Sequence, residues 1–230
     1  MHRLWAGIML GLILAVAASG AEAGPASARG LVIFTVTGQS AAPPPLVRLL
    51  GDDGWDVVVN PVAADFTHER EIGRALFEMS RREEAKGYAK VVLVGESFGA
   101  WVSLLANSSW TTPIDGGRLH AVIALDASAA ALDGAGDGRW HEYKFINVLK
   151  SQDATRLAVF LYDGEAGETA ARQDEIVRSL RNHVRFPVVS VEAAAVTGPD
   201  GPRGEGFARR WGGCLKALLD ADDDGPAPGC

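Results

Sequence analysis

The chain has 230 residues, enough for one domain with a full hydrophobic core. Its net charge of −7 argues against a nucleic-acid-binding surface. The two cysteines, Cys214 and Cys230, have no zinc-ligand spacing, and no motif calls for a metal or another cofactor.

Met1-His2-Arg3 is a short positive segment, Leu4 to Ala18 is apolar, and Ala21-Glu22-Ala23 is a small-x-small cleavage site. The pattern reads as a secretory signal peptide over 1–23, which places the mature protein in the periplasm or outside the cell. The apolar stretch is short for a membrane span, and no later segment is long and apolar enough to cross a bilayer. In an exported chain, two cysteines suggest one disulfide. A Cys214–Cys230 bridge would tie the Pro/Gly-rich tail over 221–230 to the last helix, worth roughly 3 kcal/mol in the chain-entropy account.

The mature chain, 24–230, reads as a single domain. Leu31 to Val36 is a continuous apolar run, as expected of a strand buried on both faces. A loop Thr37-Gly38-Gln39-Ser40 follows, and Pro43-Pro44-Pro45 opens a short helix through Leu50. Trp55 to Val59 is a second strand, stopped by Asn60-Pro61. Glu69 to Lys86 is helical, with Ile72, Ala75, Leu76 and Met79 on one face. Tyr88 to Val94 is the third strand, followed by Gly95-Glu96-Ser97-Phe98-Gly99 and a helix to about Asn107. Strands at His120 to Leu125, Leu157 to Tyr162 and Pro187 to Val191 follow, with helices at Glu168 to Asn182 and Glu205 to Asp220. Strands alternating with helices indicate an α/β fold with a parallel sheet. The span 126–156, with Trp140, Tyr143 and Phe145, either caps the site or docks its aromatic residues on the helices of the sheet.

An apolar strand leading into Gly-x-Ser-x-Gly and then a helix resembles the nucleophile elbow of the α/β-hydrolase superfamily of esterases, lipases and acyltransferases. The resemblance extends over about Leu31 to Leu219 and is specific only at the elbow. It implies a reduced α/β-hydrolase fold of about six mostly parallel strands in the spatial order 2-1-3-4-5-6. It also implies Ser97 as nucleophile, with the amides of Phe98 and Gln39 as oxyanion donors. The acid should follow a late strand. Asp163 after the fifth strand is the first candidate, and Asp126 after the fourth is the second.

The superfamily's histidine should lie in the loop after the last strand, and here no His follows His183. His120 and His183 precede strands and belong at the opposite end of the sheet. His141 could fold down from the 126–156 span. His68 follows the second strand, at the correct end but two strand spacings from Ser97, roughly 10 Å. Asp200 or Glu205 could serve as a carboxylate base, although an unperturbed carboxylate is a weak base for a serine hydroxyl. Without a base, Ser97 is a neutral alcohol and a poor nucleophile. Two functions follow. In the first, the chain is a degenerate serine hydrolase binding a small apolar or acyl ligand, or a protein partner, at the elbow cleft. In the second, it is an active esterase, lipase or acyltransferase with a displaced base.

Overall fold

The computed structural model describes residues 28–38, 42–111, 119–127, 138–152, 156–162, 188–191 and 201–221. Six strands form one sheet: β1 (Leu31–Thr37), β2 (Asp56–Val62), β3 (Val91–Glu96), β4 (Ala121–Leu125), β5 (Arg156–Tyr162) and β6 (Val188–Val191). All neighbours are parallel, in the order β2-β1-β3-β4-β5-β6 expected from the resemblance. The described helices are α1 (Pro45–Asp52), α2 (Glu69–Ala85), α3 (Phe98–Ala106), α4 (Gly138–Lys150) and α5 (Glu205–Asp220). The segment 1–23, the tail 222–230 and the helix expected over 168–182 lie outside the described residues.

The central strands are apolar without alternation because both of their faces are buried. In β1, Leu31 and Ile33 face a core built with α2, α3 and α4. Val32, Phe34 and Val36 face a second core with α1 and α5. β3 and β4 divide the same way, with Leu93 and Val122 on the first side, Val94 and Ile123 on the second. Chain direction across the sheet reverses between β1, which is followed by β2 on one side, and β3 on the other. That switch point opens a crevice at the carboxyl ends of β1 and β3.

Two expectations need correction. β2 does not stop at Asn60-Pro61 but continues to Val62, with Pro61 opposite Val36. β2 is an edge strand, and there the missing proline N–H costs no ladder bond. The third strand begins at Val91 rather than Tyr88, whose hydroxyl instead donates to Asp56 Oδ2 at 2.7 Å.

One polar network crosses the first core. Glu69 at the start of α2 is 5% exposed. Its Oε2 accepts from Trp101 Nε1 of α3 at 2.8 Å, and its Oε1 pairs with Lys144 of α4. Phe145 stacks on Trp101, and Val148 and Leu149 are buried beside it. The described part of the 126–156 span therefore docks against α3. Truncating Glu69 leaves an indole N–H and a nearly buried ammonium without their acceptor. Glu69→Ala is expected to cost about 3–5 kcal/mol in urea unfolding. Glu69→Gln, which can still accept from Trp101, is expected to cost less.

Candidate active site

Ser97 sits between β3 and α3 with φ 55° and ψ −122°. A non-glycine residue rarely adopts such a backbone, which costs about 1–3 kcal/mol and persists where the surroundings over-determine it. Here the surroundings are two glycines. A Cβ on Gly95 would lie 2.4 Å from the Gly99 carbonyl oxygen, and one on Gly99 would lie 2.2 Å from the Thr35 carbonyl oxygen. The chain doubles back so tightly that α3 touches both β3 and β1. Ser97 N–H donates to Leu125 O at 3.0 Å, which fixes the turn against β4. The Ser97 side chain is left exposed at the crevice.

The first N–H groups of α3 have no acceptor inside the helix, because its first intrahelical bond from this turn is Trp101 N–H to Ser97 O at 3.1 Å. Phe98 N–H is thus in the place the sequence reading gave an oxyanion donor. Gln39, the second proposed donor, lies outside the described residues. The preceding Gly38 is at φ 86° and donates to Val62 O at 3.1 Å.

A cleft of about 120 Å³ lies over Ser97. Its walls are Val36 and Thr37 from β1, Ala64 and Phe66 from the loop after β2, the elbow residues Glu96 and Phe98, and Arg203. Arg203 comes from the loop that should carry the superfamily's histidine. Its Nε donates to Glu96 Oε1 at 2.6 Å. The other Glu96 oxygen is buried and has no hydrogen-bond partner among the described residues.

Asp126 is next to Ser97 across the β3–β4 pairing, since Glu96 is opposite Leu125. It also has a strained backbone, at φ 54°, with its N–H on Phe160 O at 2.9 Å. Burial, and then the Glu96 carboxylate, raise its pKa above the usual carboxylate value.

Of the remaining candidates, the structure places the side chains of Glu205, His120 and His68. Asp163 and Asp200 lie outside the described residues. His141 is on α4, and its side chain lies outside the described part of the structure. Glu205 opens α5 and pairs with Arg48 at 2.9 Å. His120 is at the opposite end of the sheet, with Nε2 2.9 Å from Leu219 O. His68 stands just before α2, and its Nδ1 is 2.8 Å from Asp65 Oδ2. Sequence reasoning missed Asp65, Glu96 and Arg203. An Asp three residues before a His just ahead of a helix was a local signal for the first. No local pattern could join Glu96 to Arg203, which are 107 residues apart.

No protein-family profile matches the chain, and no curated protein sequence matches it. Among solved structures, the fold is similar to Thermogutta terrifontis esterase 2 phosphorylated by paraoxon. That match has 14% identity and a TM-score of 0.56 and covers 86% of this chain and 84% of the other. A Pyrococcus furiosus esterase is similar at 12% identity and TM-score 0.52, with 81% and 80% covered. These likenesses establish a shared α/β architecture.

Two outcomes test the site geometry. Gly99→Ala drives a Cβ into the Thr35 carbonyl and is expected to lower stability by about 3 kcal/mol in denaturant unfolding. Asp126→Asn is expected to raise the unfolding midpoint at pH 7. A carboxyl whose folded pKa is raised is penalised once ionised, and that penalty disappears as pH falls below the ordinary carboxyl value of 3.8. The gain from Asn should therefore shrink toward zero in acid. Urea midpoints of both proteins from pH 3 to pH 8 measure this.

Proposed function

We propose that this chain is a serine hydrolase-type protein that cleaves a short acyl ester or thioester through Ser97. The observation that carries the reading is the strained Ser97 backbone, held by Gly95 and Gly99 at the mouth of a cleft. Strain of this kind needs the surrounding structure to maintain it, and it concentrates where chemistry is done. Ser97 Oγ attacks the acyl carbonyl, and Phe98 N–H at the start of α3 donates to the developing oxyanion. One such donor is worth roughly 3–4 kcal/mol in the transition state. The cleft has room for a small acyl group. About 120 Å³ is close to the ~150 Å³ cavity size that accepts a benzene ring, so a short chain fits. The structural neighbours include esterases, one of them phosphorylated by paraoxon, and this supports the class of chemistry.

Export behind the 1–23 segment and a Cys214–Cys230 disulfide belong to the same proposal. No free thiol occurs among the described residues, which supports the pairing.

A second reading keeps the cleft but not the chemistry. Ser97 Oγ contacts no base among the described residues, and Arg203 stands in the cleft, paired to Glu96. On that reading the protein binds an acyl ligand or a partner without turning it over. A fluorophosphonate probe decides between the two. Catalysis predicts a covalent adduct on Ser97 in the wild type and none in Ser97→Ala. A folded wild type that takes no label supports the binding reading and removes the catalytic one.

A further inference from the structure

We infer that His68, oriented by Asp65, is the general base for Ser97, so that the base comes from the loop after β2 instead of the loop after the last strand. This rests on the reading of Ser97 as a nucleophile. After β2 the chain runs Ala63-Ala64-Asp65-Phe66-Thr67-His68, then enters α2. Asp65 uses both of its oxygens there. Oδ1 accepts from the backbone N–H of Thr67 at 2.9 Å and of His68 at 3.2 Å. Oδ2 lies 2.8 Å from His68 Nδ1. A carboxylate acceptor at Nδ1 fixes the proton on that nitrogen and leaves the Nε2 lone pair outward, which is the tautomer a base for a serine hydroxyl requires.

Two contacts hold this loop against the elbow. Phe66 meets the Phe98 ring edge to face at 4.7 Å. Glu69, on the other side of His68, is bonded to Trp101. Both partners belong to the first turn of α3, immediately after Ser97. Ala64 and Phe66 line the same cleft as Ser97. The imidazole is thus carried on a segment anchored on either side of it to the start of α3, and its own side chain is 64% exposed. His68 is bonded to Asp65 and not to Ser97. Catalytic hydrogen bonds are often long without substrate and tighten in the complex.

The electrostatics agree. The charges acting on His68 are Asp65 from its own loop and Glu71 from the first turn of α2, both acidic, and the hydrogen bond to Asp65 is the main cause of its raised pKa. The same bond lowers the pKa of Asp65. The ring is then a stronger base than a solvated histidine while remaining largely neutral above its pKa.

The proposed cycle balances. Ser97 Oγ forms a bond to the acyl carbon as its proton passes to His68 Nε2, and the carbonyl becomes an oxyanion. Collapse breaks the bond between acyl carbon and leaving group, and His68 returns the proton to the departing oxygen or sulfur. Water then attacks the acyl-serine, gives a proton to His68, and releases the acid while Ser97 recovers its proton.

The test is p-nitrophenyl butyrate turnover and fluorophosphonate labelling by the full chain, with unfolding curves to show that each variant is folded. His68→Ala is expected to lower kcat/KM by about 10²–10⁴-fold, with partial rescue by added imidazole. Asp65→Asn keeps Oδ1 for the backbone but loses the charge. It is expected to lower kcat and to move the acid limb of the pH profile to lower pH, because the charge that raised the His68 pKa is gone. Ser97 labelling at the wild-type rate in His68→Ala overturns the assignment while sparing the nucleophile. Loss of activity without imidazole rescue, with the acid limb of Asp65→Asn unmoved, marks a structural role and also overturns it. A folded wild type in which Ser97 takes no label removes the catalytic reading and the His68 assignment together.

Discussion

The close approach of α3 to β1 and β3 is the constraint on which the rest of the site depends. Two positions without a Cβ, Gly95 and Gly99, let the backbone reverse within a few residues. Because the reversal is so short, Ser97 cannot relax into an ordinary helical or extended backbone and is held at φ 55°. The same reversal aims the start of α3, with its unpaired N–H groups, at the space above Ser97. It also brings Phe98 under Phe66 and Trp101 toward Glu69, so the loop after β2 and the start of α2 lock onto the elbow. A single packing requirement therefore positions Ser97, the Phe98 N–H and the segment carrying His68.

Charge at the carboxyl edge of the sheet is less balanced. Glu96 and Asp126 are neighbours at the ends of β3 and β4, and the Glu96 carboxylate disfavours ionisation of Asp126. Arg203 relieves one of the two by bonding Glu96 Oε1. The pair is partly exposed on the arginine side, so solvent screening keeps its contribution to stability small. Its positional effect is clearer, since it draws the segment before α5 across the cleft and makes that segment one wall. Asp126 has no such cation among the described residues, and burial, then the Glu96 carboxylate, raise its pKa. Two strained non-glycine residues, Ser97 and Asp126, stand side by side here and are the only ones with positive φ among the described residues.

Much of the architecture was legible because burial on both faces writes itself as unbroken aliphatic runs. β1, β3 and β4 could be found that way, and α5 by its bounds. The strand order followed from resemblance at the elbow. β2 was cut short because Asn60-Pro61 is a stop signal for an interior strand, whereas an edge strand tolerates it. The site was harder to read for a different reason. Ser97 announces itself locally, but Glu96–Arg203 is a contact between distant segments, and Asp126 gives no sign in sequence that its backbone is strained. The expected place of the base, after the last strand, directed attention away from a local Asp65–His68 pair that sequence spacing already contained.

The two ends of the sheet are built on different principles. At the amino ends of the strands, polar groups tie the last helix to the sheet. His120 meets Leu219 O, Arg156 bonds Ala221 O, and Arg29 pairs with Asp220 at 2.8 Å. Lys216 reaches Asp53 at 3.0 Å. These bonds close the carboxyl end of α5 and hold β4 and β5 to it, so a histidine there serves the frame. At the carboxyl ends the polar groups are strained, exposed or short of partners: Ser97, Asp126, the second oxygen of Glu96 and the outward face of His68. Polar groups that are left incompletely satisfied cost stability, and a fold retains them where they meet a ligand. The contrast between a sutured end and an open one, in a sheet whose described strands all point the same way, is the physical basis for proposing chemistry at Ser97.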